Sequence, residues 1–356
     1  MRAVRALTTA LAVVALTPAC APPASDGVTV LTYASPYSPT HPFSRADSAW
    51  IKWISERSGG RMRIQPYWSS SVLSSEHSMT EIRHGVVDVG LITPIYARGG
   101  THLIHVQAAY YAGLTTFPQQ VALYRCLERR DPQFGRELAG LTVLAVQGGN
   151  LPGIVTRNRP VNTLEDLRGL RLRAPSELLE VLRRFGADPV DMPMGEVYSA
   201  LAKGVLDGVV APADTLRSLH FAEVAHYFNT LRVPRGAYAA RAIGASRWNS
   251  LTEDQRALLR ESVVVWEHAL ERELHQAELA GEAAGHEIGM TFVSPSAADT
   301  ATFLKVYNEV AEHNAQLSSR FEIDGLRLFR YARSVVARAV VTGAVECTGT
   351  ETGEEK

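Results

Sequence analysis

Few residues in this chain combine a reactive type with a telling position. Arg173 ends the run Leu170-Arg171-Leu172-Arg173, whose apolar–polar alternation predicts a short strand. A solvated charge is out of place there. A guanidinium is planar, permanently charged and forked, so it fits a carboxylate through two parallel hydrogen bonds. The chemistry this points to is capture of an anion. The competing reading is a structural ion pair with Glu177 or Asp191. Glu196 carries a carboxylate suited to acid–base work, but it opens "GEVYSAL", where an acid caps a helix start or pairs structurally. Eleven histidines are scattered along the chain, and "HLIHV" does not read as a metal site. There is no C-x-x-C and no H-E-x-x-H, and no nucleophile–base arrangement is visible. Neither cofactor nor metal is expected, and no covalent catalysis.

The elements around Arg173 follow from local signals. Thr163 can cap a helix whose first turn holds Glu165 and Asp166, and Gly169 stops it. After the strand ending at Arg173, Ala174-Pro175-Ser176 starts a second helix, with Pro175 near its first turn. Leu178, Leu179, Leu182 and Phe185 form its apolar stripe, and Gly186 ends it. "DPVDMP" returns as a strand, Glu196 to Lys203 is a helix, and "VLDGVVAP" is a further strand. Strand–helix–strand–helix–strand is the pattern of a parallel or mixed α/β domain. Arg173 and the residues after Val210 fall at carboxyl ends of strands, where open α/β sheets bind ligands.

The same stretch carries a resemblance. "LEDLRGLRLRAP", "FGADPV", "GEVYSALAKGVLDG" and "FAEVAHY", preceded by "SGGRMRIQPYWSSSVLSSEHSMTEIRHGVVDVGLITP", resemble, in order and spacing, the substrate-binding subunits of TRAP (tripartite ATP-independent periplasmic) transporters, the DctP-type family. The resemblance covers most of residues 28–335. It implies an α/β fold of two periplasmic-binding-protein-like lobes, joined by a hinge and crossed by a long C-terminal helix, with a small ligand in the cleft between them. Residues 28–150 would be mainly the first lobe, 151–250 mainly the second, and 251–342 the long helix and returning C-terminal elements.

Residue by residue, the resemblance implies that Arg173 pairs with the ligand carboxylate. Met194 stands where the family often has an aromatic that packs on the ligand; a methionine there suits an apolar ligand portion, or else packs in the core. After "VLDG" the family often places an amide before proline. This chain has Val210-Ala211 before Pro212, with Asp214 as a possible substitute. A polyhydroxylated sugar acid is therefore disfavoured. Ser35, Tyr37, Ser75, Thr93 and Tyr96 match cleft-facing positions of the first lobe. Gln147, Asn150 and Arg157 lie near the hinge-side strand, Arg157 being a second anion contact or a surface residue.

Net charge is −1, which offers no bulk electrostatic attraction for nucleic acid. Hydrophobic content of 46% with 21% charged residues predicts a packed core. Residues 1–20 read as a signal peptide: Arg2 and Arg5, then "ALTTALAVVAL". "LTPAC" resembles a lipobox with lipidation at Cys20, although Thr17 and Pro18 depart from the usual pattern; cleavage without lipidation is the alternative. Residues 21–27 would be a tether and 343–356 a disordered acidic tail. Cys126 and Cys347 are compatible with one disulfide in an exported protein. The alternative is a small, buried, unpaired Cys126 on its helix. The function implied is an exported, lipid-anchored receptor that binds a small organic acid and delivers it to a TRAP membrane permease. A ligand sensor for a signalling partner and a secreted hydrolase are the other readings.

Overall fold

The computed structural model describes residues 27–347. Cys20, nearly all of the expected tether and the end of the acidic tail lie outside the described residues. Eleven strands form two sheets. The first contains β1 (Thr29–Ala34), β2 (Met62–Tyr67), β3 (Val89–Leu91), β4 (Leu141–Gln147) and, from later in the chain, β10 (Tyr238–Gly244). Its order is β2-β1-β3-β10-β4, with β10 antiparallel to both neighbours. The second contains β5 (Gly153–Thr156), β6 (Arg171–Arg173), β7 (Asp188–Val190), β8 (Gly208–Ala211), β9 (Tyr227–Asn229) and β11 (Thr291–Val293), ordered β11-β9-β5-β8-β6-β7. Here β5 is the antiparallel strand. The fold is thus mixed α/β with two sheets.

The chain crosses between the sheets three times. The first crossing joins β4 to β5 and the second joins β9 to β10. Tyr238–Gly244, inside the segment expected to be mainly second lobe, therefore returns to the first sheet. The third crossing is the helix Glu253–Glu287, 35 residues long and so about 52 Å from end to end. Thr252 caps it in a reciprocal capping box with Gln255. Its first half lies on the helix Pro42–Arg57, where Trp50 Nε1 donates to Ser262 Oγ at 2.7 Å. Its far end meets the second lobe at Gly281. A side chain there would collide with the Ala213 backbone, so glycine permits the close approach.

A buried ion pair fixes the first lobe. Arg241 on β10 and Asp47 on the first long helix are both about fully buried and meet through two hydrogen bonds, Nε to Oδ1 at 2.7 Å and a terminal nitrogen to Oδ2 at 3.1 Å. Asp47 also accepts from Trp266 Nε1 at 2.7 Å and from the Tyr33 hydroxyl. Arg241 lies over the Trp266 ring, 4.6 Å from its centroid. The remaining lone pairs and protons are thereby satisfied, which a buried pair requires. Burial raises the Tyr33 phenol well above its ordinary pKa, so it stays a donor to Asp47. At the C-terminal end, Cys126 and Cys347 are joined in a disulfide across 221 residues. It ties the helix Phe117–Arg130 to the segment beyond the helix Gly325–Thr342.

Candidate ligand-binding site

Between the two sheets lies a small cavity of about 100 Å³, open to solvent at its mouth. Both sheets and all three crossings supply its walls. The loop after β1 gives Tyr37 and His41, and the first turn of the helix Pro42–Arg57 gives Phe43; the turn after β3 gives Thr93, Ile95 and Tyr96. The second lobe gives Arg173, Glu177, Met194, Val210 and Asp214, and the crossings give Pro152, Arg235 and Leu274. Strand ends and crossings converge here because parallel strands present their carboxyl ends to the same edge.

Arg173 is 2% exposed. Its Nε donates to the Met192 carbonyl at 3.0 Å and a terminal nitrogen donates to the Tyr96 hydroxyl at 2.8 Å. No ion pair to Glu177 or Asp191 forms, so the structural-pair alternative does not describe this arginine. It also lines the cavity, with N–H groups beyond these two bonds. Tyr96 belongs to the first lobe, so the bond spans the cleft.

Of the expected site residues, Tyr37, Thr93, Tyr96, Arg173, Met194 and Asp214 line this cavity. The others do not. Ser35 is buried behind Tyr37, and its hydroxyl accepts from the Tyr37 backbone at 3.3 Å. Ser75 accepts the Thr93 hydroxyl through its carbonyl and lines a neighbouring surface groove, together with Glu196. Gln147 is buried; it donates to the Tyr238 hydroxyl at 2.9 Å and accepts from Arg241 at 3.2 Å. Asn150 donates to the Leu274 carbonyl at 3.0 Å and to Asp214 at 3.4 Å, pinning the first crossing to the long helix. Ala211 is fully buried in the second lobe, while its neighbour Val210 faces the cavity. Successive strand side chains point to opposite faces, which separates these two. Arg157 packs near Gly204 and does not line the cavity.

Among the cavity residues that the sequence did not assign to the site are Arg235, His41 and Glu177. Arg235, on the second crossing, donates to the Asn150 carbonyl at 3.3 Å. Its guanidinium rests on Gly149, where a Cβ would sit 2.5 Å from the guanidinium carbon. His41 caps the helix Pro42–Arg57 by accepting the Phe43 N–H on Nδ1, 3.2 Å away. That fixes the neutral tautomer with Nε2 protonated, and burial lowers its pKa to about 3. It stacks on Tyr37 with centroids 4.1 Å apart. Glu177 follows Pro175 in the turn Ser176–Leu178. Burial lifts its pKa to about 7, and its Oε2 is buried without a hydrogen-bond partner. The sequence signals were slight: a lone arginine in "VPRG" and a histidine before a helix-starting proline in "THPF".

The polar groups therefore face one another across a cavity whose other walls are apolar: Phe43, Ile95, Leu178, Val210, Leu219 and Leu274. Among the described residues no cluster could hold a metal ion, and no helix is long and apolar enough to cross a membrane.

The comparisons agree with this architecture. The family profile for bacterial extracellular solute-binding protein family 7, DctP, matches residues 33–316. A solute-binding protein from Albidiferax ferrireducens is 26% identical over 223 residues, 58% of this chain and 61% of that protein's length. Among solved structures, a TRAP solute-binding protein from Rhodoferax ferrireducens, in complex with copurified benzoate, superposes with a TM-score of 0.81 at 22% identity, covering 89% of this chain and 100% of that one. Another from Chromohalobacter salexigens, with bound D-glucuronate, gives a TM-score of 0.72 at 18% identity, covering 85% of this chain and 99% of that one. The profile match spans both sheets and every wall of the cavity, and the chain belongs to bacterial extracellular solute-binding protein family 7, the DctP-type TRAP solute-binding proteins.

Proposed function

We propose that this protein is an extracytoplasmic receptor for a small organic acid with an apolar body, which it hands to a TRAP-type membrane permease without changing it chemically. One observation carries the ligand assignment: a buried guanidinium, Arg173, free of any ion pair, lines a cavity between the lobes whose walls combine a few polar groups with a larger apolar surface. An ionised guanidinium in such a place gains most from a carboxylate with matching geometry. Val210 and Met194, on the same lobe as Arg173, offer no hydrogen bonds to hydroxyl groups, which favours benzoate-like or mandelate-like acids over polyhydroxylated sugar acids. Tyr37, Thr93, Tyr96 and Asp214 act as further ligand contacts. Ser35, Gln147 and Asn150 hold those contacts in place from behind.

A thermal-shift panel of benzoate, phenylacetate, mandelate, glucuronate and galacturonate tests the assignment, since a ligand bound only by the folded state raises its melting temperature. Stabilisation by the aromatic acids is expected. Stabilisation by the sugar acids alone would refute the apolar reading. Recovery of the bound acid unmodified, one per chain, separates a receptor from a hydrolase.

The receptor is anchored to the outer face of the membrane through lipid on Cys20, on the strength of the lipobox-like "LTPAC". Cys20→Ser is expected to move the protein from the membrane fraction to the soluble exported fraction; wild-type protein already soluble would refute the anchor.

A further inference from the structure

We propose that Glu177 is a ligand-facing residue of this cavity that carries a proton when the ligand is bound, so that the receptor takes up one proton together with its carboxylate. The inference rests on the reading above, that Arg173 holds the ligand carboxylate.

The geometry sets up a conflict. Glu177 lines the cavity that Arg173 lines, and its buried Oε2 has no donor. Its nearest candidate partner is otherwise engaged: Arg173 bonds to Met192 and Tyr96 and forms no ion pair with Glu177. The groups facing Glu177 come from every side. Arg173 on β6 and Arg235 on the second crossing favour its ionised form, while Asp191 beyond β7 opposes it. Tyr238 on β10 and Tyr307 on the helix Ala297–Leu317 are neutral phenols with pKa values raised by burial. His105, on the helix His102–Gln107 beside the turn, bonds to the Pro94 carbonyl and faces Asp191. Glu180, Arg183 and Arg184 on the following helix pair with one another, half exposed. Burial is the largest influence on Glu177, and the empty-cavity carboxyl titrates at about 7.

A ligand carboxylate on Arg173 removes the positive field that favoured ionised Glu177 and adds a negative charge beside it. Two carboxylates close together beside one guanidinium in a buried site cannot both stay ionised cheaply, so the protein carboxyl gains a proton. Protonated Glu177 then becomes a hydrogen-bond donor to a ligand oxygen instead of a repulsive charge. The charge balance also narrows the ligand class. Asp214 lies in the field of Arg235, Glu177 is neutral, and a single carboxylate balances Arg173. The favoured ligand is a monoanion.

The test is calorimetric titration of the full described chain with benzoate from pH 5.5 to 9, in buffers of differing ionisation enthalpy so that proton uptake is counted directly. Below the empty-site value affinity should be flat. Above about pH 7 it should weaken roughly tenfold per pH unit, because each binding event must then recruit a proton, with uptake approaching one proton per site. In Glu177→Gln both the slope and the uptake should vanish. No uptake by the wild type overturns the proposal without needing any variant, and equal uptake by Glu177→Gln overturns it by placing the proton elsewhere. Failure of benzoate, phenylacetate and mandelate to bind at any pH would refute the apolar-acid reading itself, and this inference with it.

Discussion

Replacing Arg173 with alanine removes the one cavity cation that is almost fully buried and free of an ion pair. The side chain is 2% exposed, and its two protein contacts are a carbonyl and a phenol oxygen. The ligand carboxylate would then lie in the cleft with its charge unmatched. Truncating one partner of a buried charge-assisted pair costs about 2–5 kcal/mol, which is ~30-fold to several-thousand-fold in affinity. Folding should survive. Met192 and Tyr96 each lose a donor, but the variant also sheds a desolvated charge, and these effects oppose one another. Arg173→Lys should recover only part of the loss, because an ammonium cannot bond Met192 and a carboxylate through a rigid fork. Tyr96→Phe deletes one hydrogen bond, a loss of about 1 kcal/mol or roughly fivefold. Calorimetry with benzoate, at a pH where the wild type binds, ranks the three variants beside circular dichroism to verify the fold. Wild-type affinity in Arg173→Ala would refute the assignment of the carboxylate to this residue.

Two further outcomes concern the frame that holds the site. Asp47→Ala strands Arg241 as an uncompensated buried cation and strips the Tyr33 and Trp266 donors of their acceptor; a loss of about 3–5 kcal/mol is expected, read as a lower denaturation midpoint, and an unchanged midpoint would show that the pair is dispensable. Reduction, or the double change Cys126→Ala with Cys347→Ala, opens a loop closed across 221 residues; unfolding should become easier by about 2–5 kcal/mol, whereas identical oxidised and reduced melting curves would contradict that contribution.

The parts legible in the sequence were those specified over short range. The alternation of Leu170-Arg171-Leu172-Arg173 places Arg173 at the end of β6, and Thr163 forms its reciprocal cap with Asp166, although the segment is a short 3-10 turn and not a longer helix. The long helix was expected from the resemblance, and the structure places it at Glu253–Glu287. Cavity membership was harder. Val210 and Ala211 differ by one position in β8, and one position decides which face of a strand a side chain occupies. Ser35, Gln147 and Asn150 sit one layer behind the wall, and nothing in their own neighbourhood distinguishes support from contact. Arg235, His41 and Glu177 enter the site only because separate crossings and turns meet there. The pairing of Cys126 with Cys347 brings a residue within the helix Phe117–Arg130 to the segment beyond the helix Gly325–Thr342, across more than two hundred intervening residues, beyond what periodicity conveys.

The placement of Arg173 also links grip to closure. The guanidinium hangs from the second lobe, yet one of its two protein bonds goes to Tyr96 of the first. The Tyr96 hydroxyl accepts that bond and keeps its own proton for a ligand oxygen. On the proposed assignment a carboxylate on Arg173 would meet donors from both lobes, and any opening of the cleft must break the Arg173–Tyr96 bond. The crossings make such opening cheap in only one direction. Two are short segments and the third is a single helix lying on both lobes, with Gly281 close against the Ala213 backbone, so the lobes can hinge but cannot slide apart without unpacking that helix. The apolar walls favour closing because they leave water together, and the Arg173–Tyr96 bond spans the cleft without a counter-charge. On the proposed assignment, a ligand carboxylate on Arg173 would add to a bond that already joins the two lobes, so grip and closure would share one residue.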